Sequence, residues 1–323
     1  MALSQESKSR KLKLGFLNSI SAEWVHLYKD TIEQVSRVDD ADYIIYESNG
    51  DPVPVIMKIL ATFPRNKLVF ILSGDQSVHI NDECIWFSNA VKPSGLAVRQ
   101  TQIFVSNPAI FKYYEKIGRG FTQIRKRYID IYFKGTIWNG MREAMYDYFS
   151  KSRTPEMSCL IEKNNDYWGW RLNNKNKPTQ EDIEKTAYKS YETMEDALLC
   201  LCPKGNGNSS MRIVEALACG SIPVLIDDFS APFDVLWEDA GVALAFDTRI
   251  HTWNHIYTEC YKLIQDTERL KTMQKKGNVY FREVVYGDSN SLGFKMYGNL
   301  DTVAFGFSGL ILERLRNMLP SNS

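Results

Sequence analysis

The sequence predicts an α/β chain built from two Rossmann-like domains, and three observations carry that reading. Short apolar runs recur along all 323 residues with helical stretches between them, the rhythm of parallel strands joined by crossovers. The runs 198–202 and 222–226 lack polar alternation, as strands covered on both faces of a parallel sheet do. The length suits about two domains of ~150 residues each.

Taken in order, runs at 12–17, 42–47, 67–72, 84–87 and 102–106 read as strands. Trp24, Leu27, Tyr28, Ile32 and Val35 fall at near-helical spacing and predict a helix over 21–35; 53–63 predicts a second. Asn18, Glu47, Ser73, Gly74 and Asp75 lie just past apolar runs, where open α/β sheets bind ligands. Residues 108–117 read as a helix that Gly118 and Gly120 end. The basic triplet Arg125, Lys126 and Arg127 follows, a solvated face on charge statistics and a phosphate attractor as the alternative. The domain boundary is placed near residue 122, dividing the chain into 1–122 and 123–323. The second part continues with strands at 129–133, 158–161 and 242–246 and helices at 141–149, 179–194, 253–265 and 268–286. A last helix is expected over 302–319.

The most informative stretch runs from 197 to 228 and reads as strand, loop, helix and strand. Pro203 ends the first strand and Gly205 and Gly207 loosen the loop. Asn208, Ser209 and Ser210 are all good caps for a helix that Gly220 stops. This brings a helix N-terminus to the carboxyl edge of the sheet, where free N–H groups suit a phosphate. Arg212, Glu215, Ala216 and Cys219 share one helix face. An arginine in the first turn opposes the helix dipole, so either an anion or an i, i+3 salt bridge to Glu215 accounts for it.

The segment CPKGNGNSSMRIVEALACGSIPV resembles the hallmark of exostosin-type glycosyltransferases through Cys202, Pro203, Gly205, Ser210, Arg212, Glu215, Ala216, Leu217, Gly220, Pro223 and Val224. Upstream, IDIYFKGTIWNGMR is similar to that family's strand, glycine and arginine, placing Gly135 and Arg142. Ala231 to Val235 is similar to its P-F-x-x-V stretch. The resemblance covers about residues 128 to 245 and fades toward the N-terminus.

The resemblance implies a GT-B fold of two facing Rossmann-like domains, with a C-terminal helix crossing back to the first. It implies an acceptor-binding N-terminal domain and a nucleotide-sugar-binding C-terminal domain. The expected activity is inverting transfer of xylose, galactose, glucuronic acid or a similar sugar from a UDP-sugar to a glycan hydroxyl, forming a β-linkage. Donor binding falls to Gly135, Arg142, Gly207, Asn208, Ser209, Ser210, Arg212 and Glu215, with Glu215 on the ribose and the arginines on the diphosphate without a metal. Asp75 is expected as catalytic base, with Glu47, Asp51 and His79 as competitors. A catalytically silent binding or scaffold subunit is the alternative, and a nicotinamide-dependent dehydrogenase ranks below it because Gly205-Asn206-Gly207 lacks a third glycine close behind.

Composition narrows the partners. Thirty-nine basic against thirty-nine acidic residues imply neither nucleic acid nor an anionic membrane as the main partner. No run of ~20 apolar residues can span a bilayer and no signal peptide is evident, so a cytoplasmic chain is expected, or a Golgi-lumen one if an anchor is missing from this sequence. The six cysteines show no metal-ligand spacing and read as free buried thiols. His251 and His255, an i, i+4 pair, lack the third ligand of a zinc site, and Asp39, Asp40 and Asp42 read as a solvated turn. The aromatics of Asp166 to Arg171, DYWGWR, offer ring faces for a sugar or anchors for a loop.

Overall fold

A computed structural model describes residues 10–17, 29–48, 53–72, 83–88, 100–102, 105–106, 108–117, 127–137, 139–151, 156–164, 179–205, 210–227, 237–286, 304–305 and 308–319. The first sheet is parallel throughout: β1 (Leu12–Phe16), β2 (Ile32–Gln34), β3 (Tyr43–Ser48), β4 (Leu68–Leu72), β5 (Ile85–Ser88) and β6 (Gln100–Gln102), in spatial order β2-β1-β3-β4-β5-β6. A short strand, β7 (Val105–Ser106), follows it. The second parallel sheet comprises β8 (Ile129–Gly135), β9 (Cys159–Lys163), β10 (Ala197–Pro203), β11 (Ile222–Ile226) and β12 (Leu244–Phe246), in order β12-β11-β10-β8-β9. The expected α/β class with two Rossmann-like sheets is what the chain forms.

Strand burial follows from the apolar runs. Every residue of β4 and β11 is buried, as central strands covered on both faces require. Between strands, α1 (Val53–Thr62) turns Ile56, Ile59 and Leu60 inward, a spacing of three and four. The helix α2 (Pro108–Lys116) follows the first sheet, α3 (Gly140–Lys151) follows β8, and α4 (Gln180–Glu195) precedes β10. A capping box starts α4: the Thr179 hydroxyl accepts from the Asp182 N–H at 3.2 Å, and the Asp182 carboxylate accepts from the Thr179 N–H at 3.0 Å. Beyond β10 come α5 (Met211–Ala218), α6 (Trp237–Ala240), α7 (Trp253–Gln265) and α8 (Thr267–Tyr280). A π-helical turn over Phe281–Tyr286, the short strand β13 (Ala304–Phe305) and α9 (Ser308–Asn317) complete the described elements.

One apolar cluster takes in both sheets. Leu12, Leu14 and Ile45 of the first and Tyr132, Cys200 and Leu225 of the second belong to it, together with Ala109, Ile110 and Tyr114 of α2. The boundary expected near 122 lies outside the described residues. The last helix rests against the first sheet: the Tyr43 hydroxyl donates to the Leu315 carbonyl at 3.1 Å, and Arg316 Nη2 donates to the Thr31 carbonyl at 2.8 Å.

Two stretches expected as helices are built differently. Within 21–35, residues 21–28 are outside the described part, and Ile32–Gln34 is a strand parallel to β1. Thr31, Ile32 and Val35 are β-branched, and the open edge of β1 rewards pairing over helical spacing. Within 302–319, Ala304–Phe305 pairs antiparallel with Val105–Ser106 before the helix begins at Ser308. The run 102–106 is likewise divided between β6 and β7.

In each sheet the chain reverses its winding once. It runs from β1 to β2 on one side and then to β3 on the other; it runs from β8 to β9 and then back across to β10. The crevices at the carboxyl ends of β1/β3 and β8/β10 are therefore the two topological switch points, the places where doubly wound sheets hold ligands.

Candidate functional site: two arginines at the β8/β10 switch point

The switch point of the second sheet is occupied by guanidinium groups. Arg142 comes from the first turn of α3, whose start Asn139 holds by accepting from the Arg142 N–H at 2.8 Å. From there its side chain straddles the two strand ends: Nη1 donates to the Thr136 carbonyl at 3.0 Å, Nε to the Lys204 carbonyl at 3.1 Å and Nη2 to the Pro203 carbonyl at 3.2 Å. All three acceptors are neutral. Burial, and then the charge of Arg212, lower its pKa below the usual arginine value.

Arg212 enters from α5, whose first residue follows the extended cap residue Ser210. Its Nη2 donates to the Lys134 carbonyl at the end of β8, at 2.7 Å, and its Nη1 pairs with Glu215 Oε2 at 2.8 Å. Burial has the largest single effect and opposes the charge of Arg212, but the Glu215 carboxylate, joined by Cys200, Tyr132 and Cys202, outweighs it and raises the guanidinium pKa. The other oxygen of Glu215, Oε1, accepts from the Tyr191 hydroxyl of α4 at 3.1 Å. Burial holds that hydroxyl well above the ordinary phenol value, so it stays a donor. Arg212 is thus neutralised by Glu215, while Arg142 brings a charge that no carboxylate among the described residues meets.

The helix itself is packed almost all round. Ile213 to Ala218 are buried and Met211 is exposed, so the small residues Ala216 and Cys219 admit neighbouring protein rather than an open surface. Helices α2, α4 and α8, together with the π-helical turn, all contact it. At its end Gly220 takes a positive φ of 68°, the left-handed stop that glycine allows. At the end of β8, a side chain on Gly135 would meet the Phe133 ring at 2.8 Å, which accounts for the glycine by packing.

The structure brings together Arg142, Arg212, Glu215, Gly135 and Ser210 of the expected site residues. Ser210 sits at the cap position with no side-chain cap bond. Gly207, Asn208, Ser209 and Asp75 lie outside the described residues, as do Asp51, His79 and the 166–171 aromatics. Glu47 is described and buried near the end of β3. Arg127, weighed as a phosphate attractor, instead points into the protein: Nη1 donates to the Ala197 carbonyl and, at 3.3 Å, to Ser221 Oγ, and Nη2 donates to the Cys219 carbonyl at 3.2 Å. It ties the end of α5 to the start of β10. His251 and His255 stack on each other with ring centroids 5.0 Å apart, and His251 Nδ1 accepts from the Asp247 N–H. Five of the six free cysteines are buried and Cys159 is half-buried. Among the described residues no cluster of His, Cys, Asp or Glu could hold a metal ion, and no helix is long and apolar enough to cross a membrane.

Tyr191 is the participant that sequence reasoning passed over. Its signal was available, since a tyrosine on the inner face of a helix needs a partner for its hydroxyl.

Residues 122–251 match the family model of the Exostosin GT47 domain. Over these residues the chain is similar to the exostosin domain. The matched stretch takes in both switch-point arginines and all of β10, α5 and β11. The "Probable glucuronosyltransferase" of Oryza sativa subsp. japonica is 32% identical over 124 residues, 38% of this chain and 27% of its own length. The "Probable beta-1,4-xylosyltransferase" of Arabidopsis thaliana is 32% identical over 122 residues, 37% of this chain and 26% of its own. The match therefore spans about a quarter of these relatives. Among solved structures, a glycosyltransferase from Rickettsia africae aligns with 84% of this chain and 85% of its own at a TM-score of 0.40 and 10% identity. An alpha1,3-fucosyltransferase aligns with 98% and 96% at a TM-score of 0.39 and 11% identity.

Proposed function

We propose that this chain is an inverting glycosyltransferase that moves a sugar such as xylose, galactose or glucuronic acid from a UDP-sugar to a glycan hydroxyl, forming a β-linkage. The observation that carries the reading is Arg142: a half-buried guanidinium at a switch point, bonded to three carbonyls and lacking an anionic partner among the described residues. A diphosphate there would supply the missing charge, and the free N–H groups of the guanidinium suit phosphate oxygens. The similarity to the exostosin domain supports a sugar-transfer role for such a site. UDP, inversion and the β-linkage come from the exostosin resemblance.

In this mechanism an acceptor hydroxyl attacks the anomeric carbon from the side opposite the diphosphate. A new carbon–oxygen bond forms, the bond to the diphosphate breaks, and the hydroxyl proton passes to a carboxylate, for which Asp75 is proposed. Negative charge grows on the departing diphosphate. Arg142 answers it with net positive charge, and Arg212 adds a guanidinium held in place by Glu215. No metal is required in this account.

A thermal-shift panel of nucleotide sugars tests the reading. A ligand at ~100 times its dissociation constant stabilises the fold by ~2.7 kcal/mol, so UDP compounds should raise the melting temperature where other nucleotides do not. An equal response to nicotinamide dinucleotides would reject it.

A further inference from the structure

We propose that Tyr191 is a positioning residue that sets the Arg212 guanidinium through Glu215, a role whose value for donor binding rests on the glycosyltransferase reading above. The chain of contacts is continuous. The Tyr191 hydroxyl donates to Glu215 Oε1 at 3.1 Å, Glu215 Oε2 meets Arg212 Nη1 at 2.8 Å, and Arg212 Nη2 donates to the Lys134 carbonyl at 2.7 Å. Three separate elements, α4, α5 and β8, thereby fix one guanidinium. Tyr191 is 1% exposed and Glu215 is 6% exposed, so water is a poor substitute for that hydroxyl.

The physical logic is one of divided labour on a carboxylate. A glutamate with one oxygen on an arginine and the other unheld can rotate about its last torsion, which is broad and two-fold, and carry the guanidinium with it. Tyr191 removes that freedom. Its ring is in turn packed at 5.3 Å from the ring of Tyr113 on α2, the helix that follows the first sheet. Contact with α2 is therefore passed along Tyr113, Tyr191 and Glu215 to the switch point. Glu215 acts here as a clamp for Arg212, and Tyr191 keeps that clamp closed.

The test uses the full chain. Tyr191→Phe keeps the ring and removes the hydroxyl. Tyr113→Phe serves as control, because it removes a neighbouring buried hydroxyl that donates to Glu195 at 2.8 Å without touching Glu215. Guanidinium nitrogen resonances of Arg212, assigned by their loss in Arg212→Lys, should be resolved in wild type and in Tyr113→Phe and averaged in Tyr191→Phe. The dissociation constant for UDP, by calorimetry, should rise about tenfold in Tyr191→Phe, equivalent to about 1.4 kcal/mol. It should rise no further when Tyr191→Phe is added to Glu215→Gln, since the two act through one contact. Unchanged Arg212 resonances in Tyr191→Phe overturn the proposal, as does a UDP affinity within twofold of a wild type that binds UDP, or additive losses in the double variant. A wild type that ignores UDP removes the donor reading, and the guanidinium resonances then decide the Tyr191 assignment by themselves.

Discussion

Arg212 Nη1 lies 2.8 Å from Glu215 Oε2, in a pair that leaves 21% and 8% of the two side chains exposed. The salt bridge, one of the two accounts the sequence offers for this arginine, is formed, and it makes Arg212 part of the fold. Removing one partner of a buried ion pair costs ~3–5 kcal/mol because the other charge is left alone. Arg212→Ala should therefore lower the unfolding free energy by about 3 kcal/mol in urea denaturation. Arg212→Met combined with Glu215→Leu should recover most of it. A single variant as stable as wild type would show that the pair carries no stability.

Arg142 joins the ends of β8 and β10 through three carbonyls. Lysine keeps the charge and loses the planar fork, so Arg142→Lys should cost about 2 kcal/mol of stability and weaken UDP binding at least tenfold. Urea denaturation and calorimetry measure the two effects separately. UDP affinity equal to wild type in a folded Arg142→Lys protein would move the diphosphate elsewhere.

Arg127 gives the contrasting case of a basic residue working inside the fold. Arg127→Met should remove its bonds to Ala197, Ser221 and Cys219 and destabilise by about 3 kcal/mol, while the folded fraction at low temperature keeps wild-type UDP affinity. A selective loss of UDP binding with unchanged stability would restore the phosphate role.

Asp247 supplies a pH dependence. Hydrogen bonds from the Arg249 side chain, and then from its backbone N–H, hold the Asp247 carboxyl down to about 2 from 3.8. A carboxyl depressed in the folded state adds stability above its unfolded pKa, and that contribution is lost as pH falls through the folded one. Asp247→Asn should accordingly be less stable than wild type at pH 6, with the gap closing between pH 4 and pH 2 in urea midpoints. A gap independent of pH would assign the effect to packing.

Asp75 is the proposed base, and its carboxylate can be removed without changing its shape. Asp75→Asn should leave UDP binding intact while transfer falls by ~10²–10⁴. Transfer should also survive chelation by EDTA; complete loss that manganese restores would contradict an arginine-based account of the leaving group.

Much of the site was legible because its signals are local. The apolar run of β10, Pro203 at its end, the cap at Ser210 and the left-handed Gly220 all announce themselves within a few residues, and the structure has strand, helix and strand there. The capping box at Thr179 and the start of α7 at Trp253 follow the same rule. Where local spacing was ambiguous, sequence reading failed: Ile32 fits a helical face and also suits a strand, and the neighbouring β1 decided it.

The sequence by itself determined the order of strands and helices outside 21–35, 102–106 and 302–308, the presence of a motif similar to the exostosin hallmark and the gathering of basic and acidic residues on one helix face. Only the tertiary structure decided what those residues touch. Arg142 reaches carbonyls 61 and 62 positions downstream, Arg212 reaches one 78 positions upstream, and Tyr191 meets Glu215 across 24 positions. Such pairings depend on the strand order that sets β8 beside β10, and strand order is a property of how crossovers pack on a sheet. Periodicity encodes which face of an element is buried; it does not encode which other element buries it.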